Sequence, residues 1–209
     1  MERLVLRTDN AIDVATRAAR VLRAGGVILY PTDTLYGLGA DAFSNEAVDK
    51  VYGIKNRDER KPMHTLVESI GMAGRYADVP AAARALVGRF GGNMAVIIPK
   101  KAELNSGIAR AATFGFRVPD NDFCLALLKA FGGPITATSA NTSGKTTGCN
   151  VSEILTQLGE RAEGIGLVID AGELPERKPS TVLDLSGVGP KILREGAIPA
   201  SEIQAVLRG

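Results

Sequence analysis

Val27 to Tyr30 reads VILY, and Pro31 to Ala42 reads PTDTLYGLGADA. An apolar, β-branched run stopped by a proline, with Gly37 and Gly39 close behind, reads as a buried strand that delivers hydroxyls and free backbone N–H groups into a turn. That is how the edge of a pocket is built. Upstream, Leu4 to Leu6 suits a short strand, and Asn10 stands where a helix running through Arg23 would take its N-cap. Ala11, Val14, Ala15, Ala18, Val21 and Leu22 recur at helical spacing, and Gly25-Gly26 ends the run. The first unit is therefore strand, helix, strand.

Downstream, a helix from Glu46 to about Ile54, capped by Ser44 or Asn45, turns Val48, Val51 and Tyr52 to a core and hands over to KNRDERKP at Lys55 to Pro62. Further strands are expected at Thr65 to Val67, Ala95 to Ile98, Phe116 to Val118, Ile135 to Thr138, Leu167 to Ile169, Thr181 to Leu185 and Lys191 to Arg194. Helices are expected at Ala81 to Phe90, Asp122 to Phe131, Val151 to Leu158 and Ser201 to Leu207. Strands and helices mixed without one regular repeating unit predict an α/β fold with an open, twisted, mixed β-sheet and flanking helices.

At 209 residues and 45% hydrophobic, with no Trp, the chain suits a single domain spanning 1–209 that buries a core of its own. The net charge of +2 is the difference between 25 basic and 23 acidic residues, so any contact with RNA must come from a local patch. Cys124 lies in an apolar helical stretch and Cys149 in a polar loop; neither forms a CxxC pair or a disulfide framework, and both read as thiols in a reducing compartment. MERLVLRTDN lacks the apolar core of a signal peptide, and no run approaches the roughly 18 residues of a membrane span, so a cytoplasmic protein is expected.

Four cations in the loop after the second helix, Lys55, Arg57, Arg60 and Lys61, suit a polyphosphate, because Arg presents a planar fork and Lys a compact charge to phosphate oxygens. A solvated charged loop is the plainer alternative. TSANTSG at Thr138 to Gly144 ends a strand with small hydroxyl and amide groups that could approach a phosphate or ribose, and Ser143-Gly144 permits a tight turn. Arg117 sits in apolar GFRVPD, Gly115 to Asp120, where an unpaired guanidinium is costly; it needs a structural carboxylate such as Asp120 or the carboxylate of a ligand. One histidine, His64, cannot anchor a metal cluster by itself, and there is no HExxH, Walker A loop or GxGxxG.

PTDT, KNRDERKP, GFRVPD, TSANTSG, PSTVLDL at Pro179 to Leu185 and ILREG at Ile192 to Gly196, taken in that order, resemble the YrdC-like family. That family includes the threonylcarbamoyl-AMP synthases that begin the threonylcarbamoyladenosine modification of tRNA. The resemblance implies a concave ligand pocket on the sheet and a nucleotidyltransferase that makes L-threonylcarbamoyladenylate and pyrophosphate from L-threonine, bicarbonate and ATP. It implies Lys55 and Arg57 as catalytic residues, and Arg57, Lys61, Thr113, Ser139, Asn141, Thr147 and Arg194 around the nucleotide. Thr34, Arg117 and Ser180 would bind threonine. Mg2+ would enter with ATP, carried by phosphate oxygens and water rather than by a dedicated protein site. A threonylcarbamoyl transferase and its accessory proteins would act downstream, with tRNA or double-stranded RNA contact as a further option and no membrane partner.

Two departures stand out. Many members have a proline-glycine-proline turn followed by Thr where this chain reads Gly91 to Ala95, and a His where it has Leu66. They leave room for a diverged YciO-like paralogue, or an RNA-binding protein without synthase activity. The companion domains of the carbamoyl-transferring hydrogenase-maturation relatives are not expected in a chain of this length.

Overall fold

Ten strands form the frame: β1 (Glu2–Val5), β2 (Val27–Tyr30), β3 (Gly37–Gly39), β4 (His64–Leu66), β5 (Met94–Pro99), β6 (Thr113–Arg117), β7 (Ile135–Ser139), β8 (Ile165–Asp170), β9 (Thr181–Asp184) and β10 (Lys191–Arg194). Among the described residues seven α-helices accompany them: α1 (Ala11–Arg23), α2 (Asn45–Lys55), α3 (Ile70–Ala73), α4 (Ala81–Phe90), α5 (Asp122–Phe131), α6 (Val151–Leu158) and α7 (Ala200–Arg208). The computed structural model describes residues 1–102 and 106–208. The strands join in one sheet, ordered β1-β8-β2-β3-β7-β4-β6-β5-β9-β10. β8 runs parallel to β1 and β2, and β6 to β4, whereas β3, β7 and β5 pair antiparallel to their partners β2, β4 and β6. The mixed α/β sheet expected from the sequence is the one observed.

The period of two along each strand divides the core. Val27 and Leu29 of β2, Phe114 and Phe116 of β6, and Met94, Val96 and Ile98 of β5 face a core that includes residues of α2, α4, α6 and α7. Ile28, Tyr30, Leu66 and Ile135 face the other way, toward α1 and α5. There Ala15, Ala18 and Ala19 of α1 pack with Phe123, Cys124, Leu127 and Leu128 of α5. Full burial of each Leu, Ile or Phe contributes roughly 1.5–3 kcal/mol. The same face carries His64, Ala95, Gly115 and Arg117, which lie outside the α1 and α5 cluster, so covering part of the sheet leaves a concavity beside it.

Several local expectations shift. Gly37 and Gly39 belong to β3 rather than to a turn, and their bare Cα atoms accommodate the Tyr30 ring: a Cβ on Gly39 would lie 2.8 Å from Tyr30 Cε1. The turn itself is closed on its own side chain, since Thr32 Oγ1 accepts from the N–H groups of Thr34 and Leu35 at 3.1 and 3.2 Å; those donors are not free. Asn10 does not cap α1 with its side chain, which instead accepts from Arg7 N and donates to Val5 O. Ser44 caps α2, accepting from Ala47 N, while Asn45 Oδ1 accepts from Gly107 N. β1 begins two residues before the expected strand and β6 three, and short α3, capped by Ser69, was not expected.

Candidate active site

The concavity encloses about 460 Å3, the size of a small-molecule site. Its floor is β4, β6 and β7. Its rim is the 31–36 turn, Arg57 after α2, the loop from Ser139 to Cys149, the irregular segment 171–180, and Arg194 of β10. Of the residues expected around a ligand, Thr34, Arg57, Arg117, Ser139, Asn141, Thr147, Ser180 and Arg194 all line it.

Lys55 corrects a sequence expectation. Its side chain is 1% exposed and is absent from the lining. The ammonium donates to Asn141 Oδ1 at 2.6 Å, to Asn141 O at 3.0 Å and to Ser139 O, so its three protons are taken by the turn that presents Ser139 and Asn141. Burial, reinforced by the Arg57 charge, pushes its pKa down to about 7. Lys55 builds the wall that holds Ser139 and Asn141. Between it and Arg57, Asn56 adopts φ 49°, the left-handed conformation that ends α2 and that Asn tolerates better than most side chains. The reversal sends the two cations of the Lys-x-Arg element to different places: one into the wall, the other to the cavity.

Arg57 is tethered by Nε to Lys61 O and by Nη2 to Pro62 O, both at 3.1 Å. Here lies a second correction: Lys61 contributes its carbonyl to this tether, while its exposed side chain does not line the cavity. Lys145 supplies a cation at the rim instead. A third correction concerns Thr113. It opens β6 opposite Pro99, four residues from Arg117, hence roughly 13 Å along the strand, and is not part of the lining.

Arg117 has a structural carboxylate, and it is Asp33 rather than Asp120. Nη1 donates to Asp33 Oδ1 and to Gly92 O, each at 2.7 Å, with Thr34 Oγ1 at 3.5 Å, and both members of the ion pair are more than nine-tenths buried. Asp120 meets Asp33 through its backbone N–H. Nε and Nη2 of Arg117 meet no protein acceptor among the described residues, so that edge of the guanidinium remains for a ligand. Asp33 fixes the fork and leaves half of it in use. Gly92 is held to glycine by the same contact, because a Cβ there would fall 1.5 Å from Asp33 Oδ2. The glycine at the centre of the departed turn is thus the part the site needs, while Ala95 lines the cavity with a methyl group.

Across the cavity Arg194 grips Ser180, donating through Nε and Nη2 to its carbonyl at 3.1 and 2.8 Å. Arg177 Nη1 donates to Asp33 O at 2.6 Å, which ties segment 171–180 to the 31–36 turn. Sequence reasoning missed Arg177, Lys145 and His64. The first two lie in segments with no periodicity to mark their direction. His64 stands two residues before Leu66, the position where many family members have a His; that spacing, on the face that ends in the cavity, is the available signal.

The family model Sua5_yciO_yrdC, described as telomere recombination, matches residues 20–196. The chain is 38% identical over 183 residues to a Mus musculus protein named threonylcarbamoyl-AMP synthase, covering 84% of this chain and 64% of that protein. It is similar to the crystal structure of P. abyssi Sua5 complexed with L-threonine, with a TM-score of 0.87 and 29% identity over 99% of this chain and 60% of that one. It is likewise similar to E. coli YciO, with a TM-score of 0.82 and 27% identity over 97% and 98% of the two chains. The chain therefore spans just under two thirds of the mouse relative and of Sua5. Sheet, cavity and the matched 20–196 segment agree: this chain belongs to the Sua5/YciO/YrdC family.

Proposed function

We propose that the chain forms L-threonylcarbamoyladenylate and pyrophosphate from ATP, L-threonine and bicarbonate. The observation that supports this most is the half-used guanidinium of Arg117 beside the hydroxyl of Thr34, in the same cavity as Ser180, Arg57, Arg194 and Ser139. A carboxylate bound edge-on to Arg117 gains a bidentate, charge-assisted contact at a fixed place. Arg57 and Arg194, with Lys145 at the rim, set a second anionic site for the polyphosphate. The P. abyssi relative was solved with L-threonine, which agrees with an amino-acid site in this fold.

The chemistry asks mainly for placement. A carbamate formed on the threonine nitrogen attacks the α-phosphorus of ATP, and pyrophosphate leaves; cations held in place offset the charge on the leaving group. Among the described residues no group of three or more His, Cys, Asp or Glu is placed to hold a metal, and Asp33 is committed to Arg117. In this reading Mg2+ travels on the phosphates and water, and the chain supplies no step through it. The activated product would be consumed by a separate transferase that acts on tRNA.

Purified protein with ATP, threonine and bicarbonate should release pyrophosphate and yield the adenylate, with both products dependent on threonine. ATP turnover indifferent to threonine, or none at all, would overturn the reading. That result would favour a diverged member, a reading with which the similarity to E. coli YciO agrees.

A further inference from the structure

His64 is the chain's single histidine, and the reaction proposed above gives it no task. It starts β4, pairing with Ala137 of β7, and its ring lies over Gly115 of β6, where a Cβ would come within 2.6 Å of His64 Cδ2. Glycine at 115 leaves room for the imidazole. Among the described residues neither ring nitrogen has a hydrogen-bond partner, yet no partnerless side-chain nitrogen or oxygen is shut away from solvent. The nitrogens are therefore open, and the space beside the ring is the cavity. The ring shares the cavity with Arg117, Arg57 and Arg194, and the charge of each guanidinium reaches it.

We propose, on the reading that this site joins threonine to ATP, that His64 is the catalytic proton acceptor for the ammonium group of the bound amino acid. Threonine arrives with no lone pair on nitrogen. His64 takes one proton: an N–H bond of the ammonium breaks, its electron pair stays on nitrogen, and an N–H bond forms on the imidazole. The freed pair attacks the carbon of CO2 derived from bicarbonate, and one C=O pair moves to oxygen. The second nitrogen proton leaves to water, giving the carbamate anion, and His64 returns its proton to solvent.

The charges around the ring make this conditional on substrate. Desolvation, then the guanidiniums of Arg194, Arg57 and Arg117, push the pKa of His64 down to about 4. The remaining titratable groups of the lining are Tyr30 on β2, Tyr36, Lys145, Cys149, and Glu176 and Arg177 on segment 171–180. A bound carboxylate and polyphosphate bring negative charge onto the same three arginines, which raises the basicity of the imidazole their charge reaches. A strong enough base exists only when both anions are present, so free threonine is not carbamoylated idly.

A lone histidine makes the test direct, since its imidazole signals in an NMR titration need no assignment. The pKa should be low in the free protein and rise by about one unit or more with threonine and an α,β-methylene ATP analogue bound. His64→Gln, confirmed folded, should lower kcat for adenylate formation by about 10²-fold with little change in the KM for ATP. Its rate should then climb with pH as solvent deprotonates the amine, while the wild-type rate levels off. A wild type that makes no adenylate overturns the synthase reading and this role together. An active wild type whose His64 pKa ignores substrates, or a His64→Gln variant with wild-type kcat and pH profile, overturns the role of His64 alone.

Discussion

Lys55 and Asn141 are joined twice, the ammonium donating to the amide oxygen at 2.6 Å and to the backbone carbonyl at 3.0 Å. The Lys-x-Arg and Ser-x-Asn elements are therefore one structure, a lysine locking the turn that offers Ser139 to the cavity. Lys55→Met should leave buried acceptors without a donor and cost about 1–3 kcal/mol in stability. ATP affinity should fall as well, although Lys55 touches no cavity space. Urea unfolding and calorimetric titration with ATP check this; unchanged affinity in the folded variant would show that the turn holds its shape unaided.

Arg117→Lys keeps the charge but forfeits the fork that reaches Asp33 with one nitrogen and a ligand with the others. Threonine dependence should suffer more than ATP binding. Asp33→Ala should be the more destabilising change, by about 3–5 kcal/mol, because it strands a buried guanidinium. Separate measurement of the two substrate dependences and of denaturant midpoints distinguishes these effects.

Two glycines make a matched pair. Gly92→Ala drives a methyl into Asp33 and should break the Arg117 ion pair, abolishing threonine use. Gly88→Ala, in exposed helical positions of α4 with nothing within 4 Å of the new methyl, should stabilise the fold by about 0.5–1 kcal/mol. Thermal melts of both variants would show the opposite signs.

Stability should depend on His64 below neutral pH. Its folded pKa of about 4 lies under the ordinary 6.5, so between these values the unfolded chain binds the extra proton. Stability from this source is full above about pH 6.5 and is lost as pH falls through 4, to a limit of about 3 kcal/mol. Carboxylates also titrate in this range, and the His64→Asn variant removes the histidine contribution alone. Unfolding free energies from pH 4 to 7 should fall less steeply for the variant than for the wild type.

The order of strands and helices was legible because apolar pattern reports burial directly: the continuous apolar runs of β2 and β5 and the helical stripe of α1 are written residue by residue. So was the list of loops that carry polar groups. Direction within those loops was not. Whether Lys55 or Lys61 reaches the cavity depends on a left-handed Asn56 and on carbonyls 84 and 86 residues away, and sequence spacing does not encode either. Arg117 announced its need for an anion from its apolar neighbours, yet the choice of Asp33 over Asp120 was made by the packing of Gly92 against the 31–36 turn. Local sequence determines which residues are buried and which elements form, through hydrophobic pattern and caps. Partners across the sheet, and with them the three arginines gathered around His64, are decided only when ten strands from distant parts of the chain come into register.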